Sequence, residues 1–392
     1  MDARTNPYAP GAGTPPPELA GRDDLINAAA IALDRIRNGL ATKSLLMVGL
    51  RGVGKTVLLN RICRDAECSG FITLQLEAPE DRSLPSLLAP PLHSALVKMS
   101  RRVAAGDAAK RALSVLAGFV GAMKVSFGDI SIGIDVESEP GVADSGHLDF
   151  DLSELLTAVG EAAKSQGTAV ALFIDELQYV ERKQLAALIL ALHRTAQRQL
   201  PVTLVGAGLP QLVAHAAAAK SYAERLFSFP EIGPLDEDAA RHALEAPAKA
   251  RDVAFSRDAL AAIVRQTQCY PYFLQEWGKH SWDCAETSPI KAQDVVAATA
   301  QATAELDASF FRARFDRLTP SERRYLRAMA ELGPGPHRSG EISRTLAKGV
   351  GAVAPTRAKL INKGMIYSPA HGNTGFTVPL FDEYLKRVIP NL

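Results

Sequence analysis

The chain of 392 residues has few cysteines, few aromatics and almost no net charge. Its four cysteines, Cys63, Cys68, Cys269 and Cys284, form no C-x-x-C pair, and no histidine cluster accompanies them. That speaks against a zinc site or a disulfide framework and for reduced thiols. The first residues, MDARTNPYAPGAGTPPPELAG, contain no apolar signal core. The longest apolar run, ALSVLAGFVGAM over 112–123, is too short to span a bilayer as a helix. The absences together predict a cytoplasmic protein with no membrane partner. A formal charge of +1 predicts no partner by itself. What is abundant is apolar residue, 47% of the chain, enough to fill the cores of the two or three domains that this length suggests.

The pattern along the chain divides it. Residues 1–17 are rich in Pro and Gly and read as a flexible or extended arm. A helical pattern over 23–37 precedes a short apolar run, KSLLMVGL (43–50), then a glycine-rich loop, a helix and a second strand, FITLQLEA (71–78). This is the opening of a parallel α/β sheet. Residues 83–118 look helical, and KVSFGDISIGIDVE (124–137) alternates in a way that predicts a hairpin, so 80–148 reads as an insertion. Further strands are expected at AVALFID (169–175) and PVTLVGAG (201–208), with helices between and after them and a short edge strand in FSFPEIGPL. Residues 236–305 read as a helical lid, in which Phe273 and Trp277 lie four apart on one apolar helix face.

Gly49, Gly54, Lys55 and Thr56 form a G-x-x-x-x-G-K-[ST] loop that follows an apolar strand and opens a helix. Glycines let the backbone turn its N–H groups inward as an anion nest at a helix N-terminus. Gly49, Arg51, Gly52, Val53, Gly54, Lys55, Thr56 and Val57 are therefore expected to contact a nucleotide. Lys55 would reach the β- and γ-phosphates, and the Thr56 hydroxyl would ligate Mg²⁺. The run ALFIDELQYV ends its apolar stretch in Asp175 and Glu176. Asp175 would hold Mg²⁺ through water, and Glu176 would polarise the attacking water. The expected ligand is ATP or ADP with Mg²⁺.

With these motifs in place, residues 18–235 resemble the AAA+ branch of P-loop ATPases, nearest to the origin-recognition-like ATPases and the related STAND signalling ATPases. PPPELAGRDDL is similar to the GR-x-x-E/D-L segment of those families, which implies nucleotide contacts for Gly21 and Arg22. AKSYAERLFSFPEIGPL resembles their box VII, which implies an arginine finger at Arg225 acting across a homo-oligomer. Two features depart from the pattern. The end of the fourth strand, VGAGLPQL, has no polar side chain before Gln211, and the lid turn TQCYPYFLQEWG has no arginine. Slow hydrolysis, or binding used as a switch, follows from these departures.

Residues 306–392 form a third unit. LTPSERRYLRAMAELG begins with a helix cap, Thr319, Pro320 and Glu322; two shorter helices follow, then two β-like runs around a His-Gly-Asn turn. The order resembles a winged helix-turn-helix. From Arg312 to Lys363 there are twelve basic and four acidic residues, a net +8, against −7 for the rest. That concentration suits a polyanion such as double-stranded DNA. Arg344, Thr356, Arg357, Lys359, Asn362 and Lys363 are the candidate DNA contacts. Arg312, Arg314 and Arg317 instead suit a linker helix paired with the acidic core. The sequence thus predicts an α/β P-loop core with a parallel, AAA+-like sheet, then a helical lid and a winged helix. ATP would control DNA engagement. The alternatives are a STAND-type switch, and a loader that binds a protein partner through the 80–148 insertion.

Overall fold

The computed structural model describes residues 1–11, 13–79, 81–101, 106–130, 132–370 and 372–391. Helix α1 (Asp23–Arg37) leads into strand β1 (Ser44–Gly49) and helix α2 (Lys55–Cys68), followed by β2 (Ile72–Glu77). Helices α3 (Leu84–Ser100), α4 (Gly106–Phe127) and α5 (Leu148–Ser165) then precede β3 (Val170–Asp175). The rest of the core is α6 (Arg182–Gln197), β4 (Val202–Gly208), α7 (Gln211–Ala219), α8 (Ala223–Leu226), β5 (Phe227–Ser228) and β6 (Glu231–Ile232). The strands form one parallel sheet in the order β2-β3-β4-β1-β5, with β6 also pairing β1.

Because successive side chains in a strand point to opposite faces, β1 feeds two cores. Leu45 and Met47 join a cluster with α1, α2 and the lid, whereas Leu46 and Val48 join one with α3 to α6. A sheet covered on both faces by crossover helices is the parallel α/β arrangement. It brings the ends of β1 and β3, and so the glycine loop and Asp175, to the same carboxyl edge.

The expected hairpin at 124–137 is not a hairpin. Helix α4 continues through Lys124–Phe127, and the described residues 128–146 form no strand. Val125 is 89% exposed on the last turn of that helix, so the alternation reflects a solvated helix end followed by an irregular segment. Ser131, part of that reading, lies outside the described residues.

Four lid helices follow: α9 (Glu237–Lys249), α10 (Arg257–Thr267), α11 (Pro271–Cys284) and α12 (Ala292–Leu306). Asp236 and Ser256 cap α9 and α10 by accepting from backbone N–H groups three residues on. Phe273, Trp277 and Trp282 are buried in the lid, as the helix-face reading expects.

The arm expected to be flexible or extended is docked on the lid. Asn6 Nδ2 donates to Lys279 O at 3.0 Å and Asp283 Oδ1 at 2.8 Å, and Trp282 Nε1 donates to Asp2 O at 3.1 Å. Tyr8 is 3% exposed, donates its hydroxyl to Leu244 O, and lies against Gly278. A Cβ at position 278 would come within 2.8 Å of the Tyr8 ring, so only glycine gives that close approach.

A π-helical turn, Asp307–Phe311, and the short helix α13 (Arg312–Phe315) link the lid to the C-terminal unit. That unit contains α14 (Pro320–Glu331), β7 (His337–Arg338), α15 (Ser339–Thr345), α16 (Val350–Asn362), β8 (Ile366–Tyr367), β9 (Asn373–Phe376) and α17 (Phe381–Val388). Helix α14 has the expected capping box: Thr319 Oγ1 accepts from Glu322 N, and Glu322 Oε2 accepts from Thr319 N. Strands β7, β9 and β8 form a small antiparallel sheet. His371, part of the expected His-Gly-Asn turn, lies outside the described residues.

Candidate functional site

The glycine loop is built by its backbone. Gly52 and Gly54 hold φ of +85° and +91°, the left-handed backbone by which such a loop leads into its helix and can present N–H groups to an anion. A Cβ at Gly49 would lie 2.2 Å from Ile232 O, so β6 can pass close to β1 only at a glycine. Lys55 is buried, with Nζ donating to Gly49 O at 2.9 Å and Leu50 O at 2.8 Å. Burial pushes its pKa down to about 8, opposed by Glu176 and Asp175.

Thr56 Oγ1 donates to Asp175 Oδ2 at 2.6 Å, which joins the helix start to the end of β3 across the sheet edge. Burial raises the Asp175 pKa, with the bonds from Thr56 and the Glu176 N–H opposing. Glu176 has φ of +52°, an uncommon conformation for a residue with a side chain. Its carboxylate accepts from Gln178 Nε2 and lies 3.8 Å from Arg51 Nη1. Gln178 Oε1 in turn accepts from Leu209 N at 2.9 Å, so a side chain from the turn after β3 supplies the polar group that the sequence lacks at the end of β4.

Arg51 to Val57 and Glu176 line one end of a cavity of about 420 Å³, in the range of small-molecule sites, with Asp175 and Gln178 bonded to that lining from behind. The other end is more apolar, walled by Leu19, Ala20, Leu235 and Leu274. Gln275, 8% exposed, lines it too, and its Oε1 accepts no hydrogen bond among the described residues. The docked arm roofs the cavity through Ala9, Pro10, Gly11 and Gly13; a Cβ at Gly13 would sit 3.4 Å from Thr56 Cγ2.

The C-terminal unit rests on this end of the core. Arg51 N donates to Thr377 O at 3.1 Å, and Arg51 Nη2 to Tyr179 Oη at 2.6 Å. Gln211 Nε2 donates to Ile361 O at 3.4 Å. Gly364 packs so closely on Arg51 that a Cβ there would meet Nη2 at 2.9 Å.

A family model described as AAA ATPase domain matches residues 18–205. This segment is an AAA ATPase domain. Residues 308–385 match a family described only as a domain of unknown function. No curated protein matches the chain at a significant level. Among solved structures, the Walker-type ATPase of Pyrococcus abyssi is 16% identical with a TM-score of 0.61, over 95% of this chain and 97% of that one. An ORC1 protein of Aeropyrum pernix in complex with DNA is 15% identical (TM-score 0.47, 95% and 94% covered). A RuvB variant of Thermotoga maritima is 14% identical (TM-score 0.45, 91% and 93% covered). The Pyrococcus likeness extends the shared fold beyond the AAA domain to nearly the whole length.

Around the AAA domain's loop, the structure gathers Gly49 to Val57, Asp175 and Glu176 as the spacing required. Arg22 lines the cavity, but its Nη2 donates to Gly233 O at 2.5 Å, a brace between the loop and the approach to the lid; burial lowers its pKa. Gly21, with φ of +66°, packs against Ala239 of α9. Arg225 is exposed on α8, and it is not among the groups lining the cavity. Of the candidate DNA contacts, Arg357 is tied to Thr374 Oγ1 (2.7 Å), Ser368 Oγ and Asn373 O (both 2.9 Å). Lys363 donates to Glu322 Oε2 at 2.7 Å and to Arg317 O at 3.0 Å. Thr356 is half-buried, while Arg344, Lys359 and Asn362 are exposed. Sequence reasoning missed the arm, Gln178 and Gln275 as parts of the site, and placed Arg314 with acids of the core. Arg314 lines the cavity instead.

Proposed function

We propose that the chain binds ATP with Mg²⁺ in this cavity, hydrolyses it slowly, and uses the bound state to set the docking of its C-terminal unit. The observation that carries this reading is the 2.6 Å bond between Thr56 Oγ1 and Asp175 Oδ2, beside Glu176 and beneath Arg51. Two hard oxygen donors in contact fit Mg²⁺, which takes one or two protein oxygens and completes its shell with water and phosphate. Bound there, Mg²⁺ would neutralise phosphate charge.

The protein's own groups divide the remaining work. The loop amides and Lys55 hold the phosphates. The apolar end, with the free acceptor of Gln275, takes a base. Glu176 accepts a proton from water as it attacks, and Gln178 and Arg51 fix its carboxylate. Arg51 also bonds the C-terminal unit through its own amide, so a change at Glu176 has a direct path to Thr377. The docked unit favours a nucleotide switch of the STAND type over a standing DNA complex. Its helix order and small antiparallel sheet suit a winged helix. The second reading, DNA binding by that unit, is favoured by its +8 charge segment and by exposed Arg344 and Lys359.

The test is binding of Mg·ATP and Mg·ADP by calorimetry, with duplex binding measured in each state at fixed salt. Nucleotide binding lost in Lys55→Ala supports the site. Salt-dependent duplex binding that changes with nucleotide would put DNA at the output; no duplex binding in any state leaves the switch.

A further inference from the structure

The linker between lid and C-terminal unit enters the cavity. Phe310, in the π-helical turn, and Arg314, in α13, both line it with Lys55 and Glu176. Such turns shift the register of a helix by one residue and are frequent at functional sites. The Arg314 guanidinium lies 3.8 Å from the Phe310 ring centroid, and Nη1 donates to Phe310 O at 2.5 Å. Phe310 stacks on Tyr272 at 4.7 Å, and Tyr272 N donates to Gly52 O at 3.2 Å. An aromatic stack thus runs from the glycine loop to the linker and orients the arginine.

The charges around it do not balance. Among the described residues no carboxylate forms an ion pair with Arg314, whereas Arg312 pairs with Asp316 on the same helix. Burial, and then repulsion by Arg51, push the Arg314 pKa down to about 10. Arg51 already shares Glu176. Among the described residues, Arg22, Arg51, Arg314 and Lys55 line the cavity against two carboxylates, Glu18 and Glu176, an excess of positive charge in a partly desolvated space that calls for an anion. A guanidinium presents a planar fork matched to phosphate oxygens. The placement also selects which phosphate. Arg314 is next to Arg51, which is next to Glu176, the group aimed at water on the terminal phosphate.

We propose that Arg314 contacts the terminal phosphate of the bound nucleoside triphosphate and so makes the linker, in the same chain, distinguish triphosphate from diphosphate. This rests on the reading of the cavity as a nucleotide site. It assigns a phosphate-recognising arginine to a segment outside the AAA domain, in cis, where the lid turn has none. The linker then carries the presence of one phosphate directly into the start of the C-terminal unit.

The experiment is calorimetric titration of the full chain with Mg·ADP and with Mg²⁺ and a non-hydrolysable ATP analogue, for the natural protein, Arg314→Ala, Arg314→Gln and Arg312→Ala. The expected result is that both Arg314 variants lose about tenfold to a hundredfold in analogue affinity, the range of a charge-assisted phosphate contact, while ADP affinity moves less than about threefold. Arg312→Ala should leave both affinities within about twofold. Arg314→Gln keeps the stem over Phe310 and covers the case in which the alanine variant does not fold. Equal loss of both nucleotides, or loss of neither, overturns the assignment. A natural protein that binds neither nucleotide overturns the nucleotide reading itself.

Discussion

The floor and the roof of the cavity are made in different ways. The floor is Arg51 to Thr56 with Glu176, two short segments joined by the Thr56–Asp175 hydrogen bond of 2.6 Å and the Arg51–Glu176 ion pair. The roof comes from the arm, from α11 of the lid and from the linker at Phe310 and Arg314, segments some 300 residues apart in sequence. The floor is made by local backbone geometry that only certain residues allow. The roof is made by packing of ordinary residues whose role exists only once the chain has folded. On the proposed function, chemistry belongs to the floor, and access and readout to the roof.

The sharpest way to break this division is at the floor. Glu176→Gln should lower ATP turnover by about a hundredfold or more, the usual worth of a general base, and leave ATP affinity within about threefold. Phosphate release under single-turnover conditions, beside calorimetry, separates the two. A proportional loss of binding would show that Glu176 supports the loop and not the water. At the roof, Tyr8→Ala removes a buried ring and its hydroxyl bond to Leu244 O, and should destabilise the native state by about 3 kcal/mol. Urea unfolding of the full chain measures it. An unchanged midpoint would mean that the arm is a passenger.

A smaller effect tests whether the roof can be loosened without unfolding. Deleting residues 1–13 should speed release of a fluorescent ADP analogue by about tenfold in stopped flow, with the floor intact. The smallest effect lies in the C-terminal unit. Burial opposes ionisation of Glu322, but bonds from Lys363 and Thr319 hold its carboxyl below the ordinary value. That contribution is present above the unfolded pKa and is lost as pH falls through the folded one, below about 4.5. Glu322→Gln should cost about 1 kcal/mol at neutral pH and flatten the stability profile under acid, read from melting between pH 3 and 7.

What could be read from the sequence follows the same division. The glycine loop, the Asp175–Glu176 pair and the α14 cap are patterns in which residue type and backbone shape imply each other over a few positions. Residues 124–137 misled because alternation over a solvated helix end and an irregular segment resembles a strand. Tyr8 gave no signal, since one aromatic in a proline-rich arm has no periodicity. Gln178 replaces a missing polar group at the end of β4 from another element, which spacing along β4 could not show. Arg314 looked like one of three basic linker residues; only the fold sets it apart, placing it in the cavity over Phe310 while Arg312 faces solvent with Asp316.

Arg51 binds three ways at once: its guanidinium meets Glu176 and Tyr179, and its amide holds Thr377. Thermodynamic reciprocity gives that arrangement a direction-free meaning. If a bound nucleotide changes the affinity of the C-terminal unit for a macromolecule by some factor, that macromolecule must change nucleotide affinity by the same factor. An unknown partner could therefore be detected by following only the small molecule.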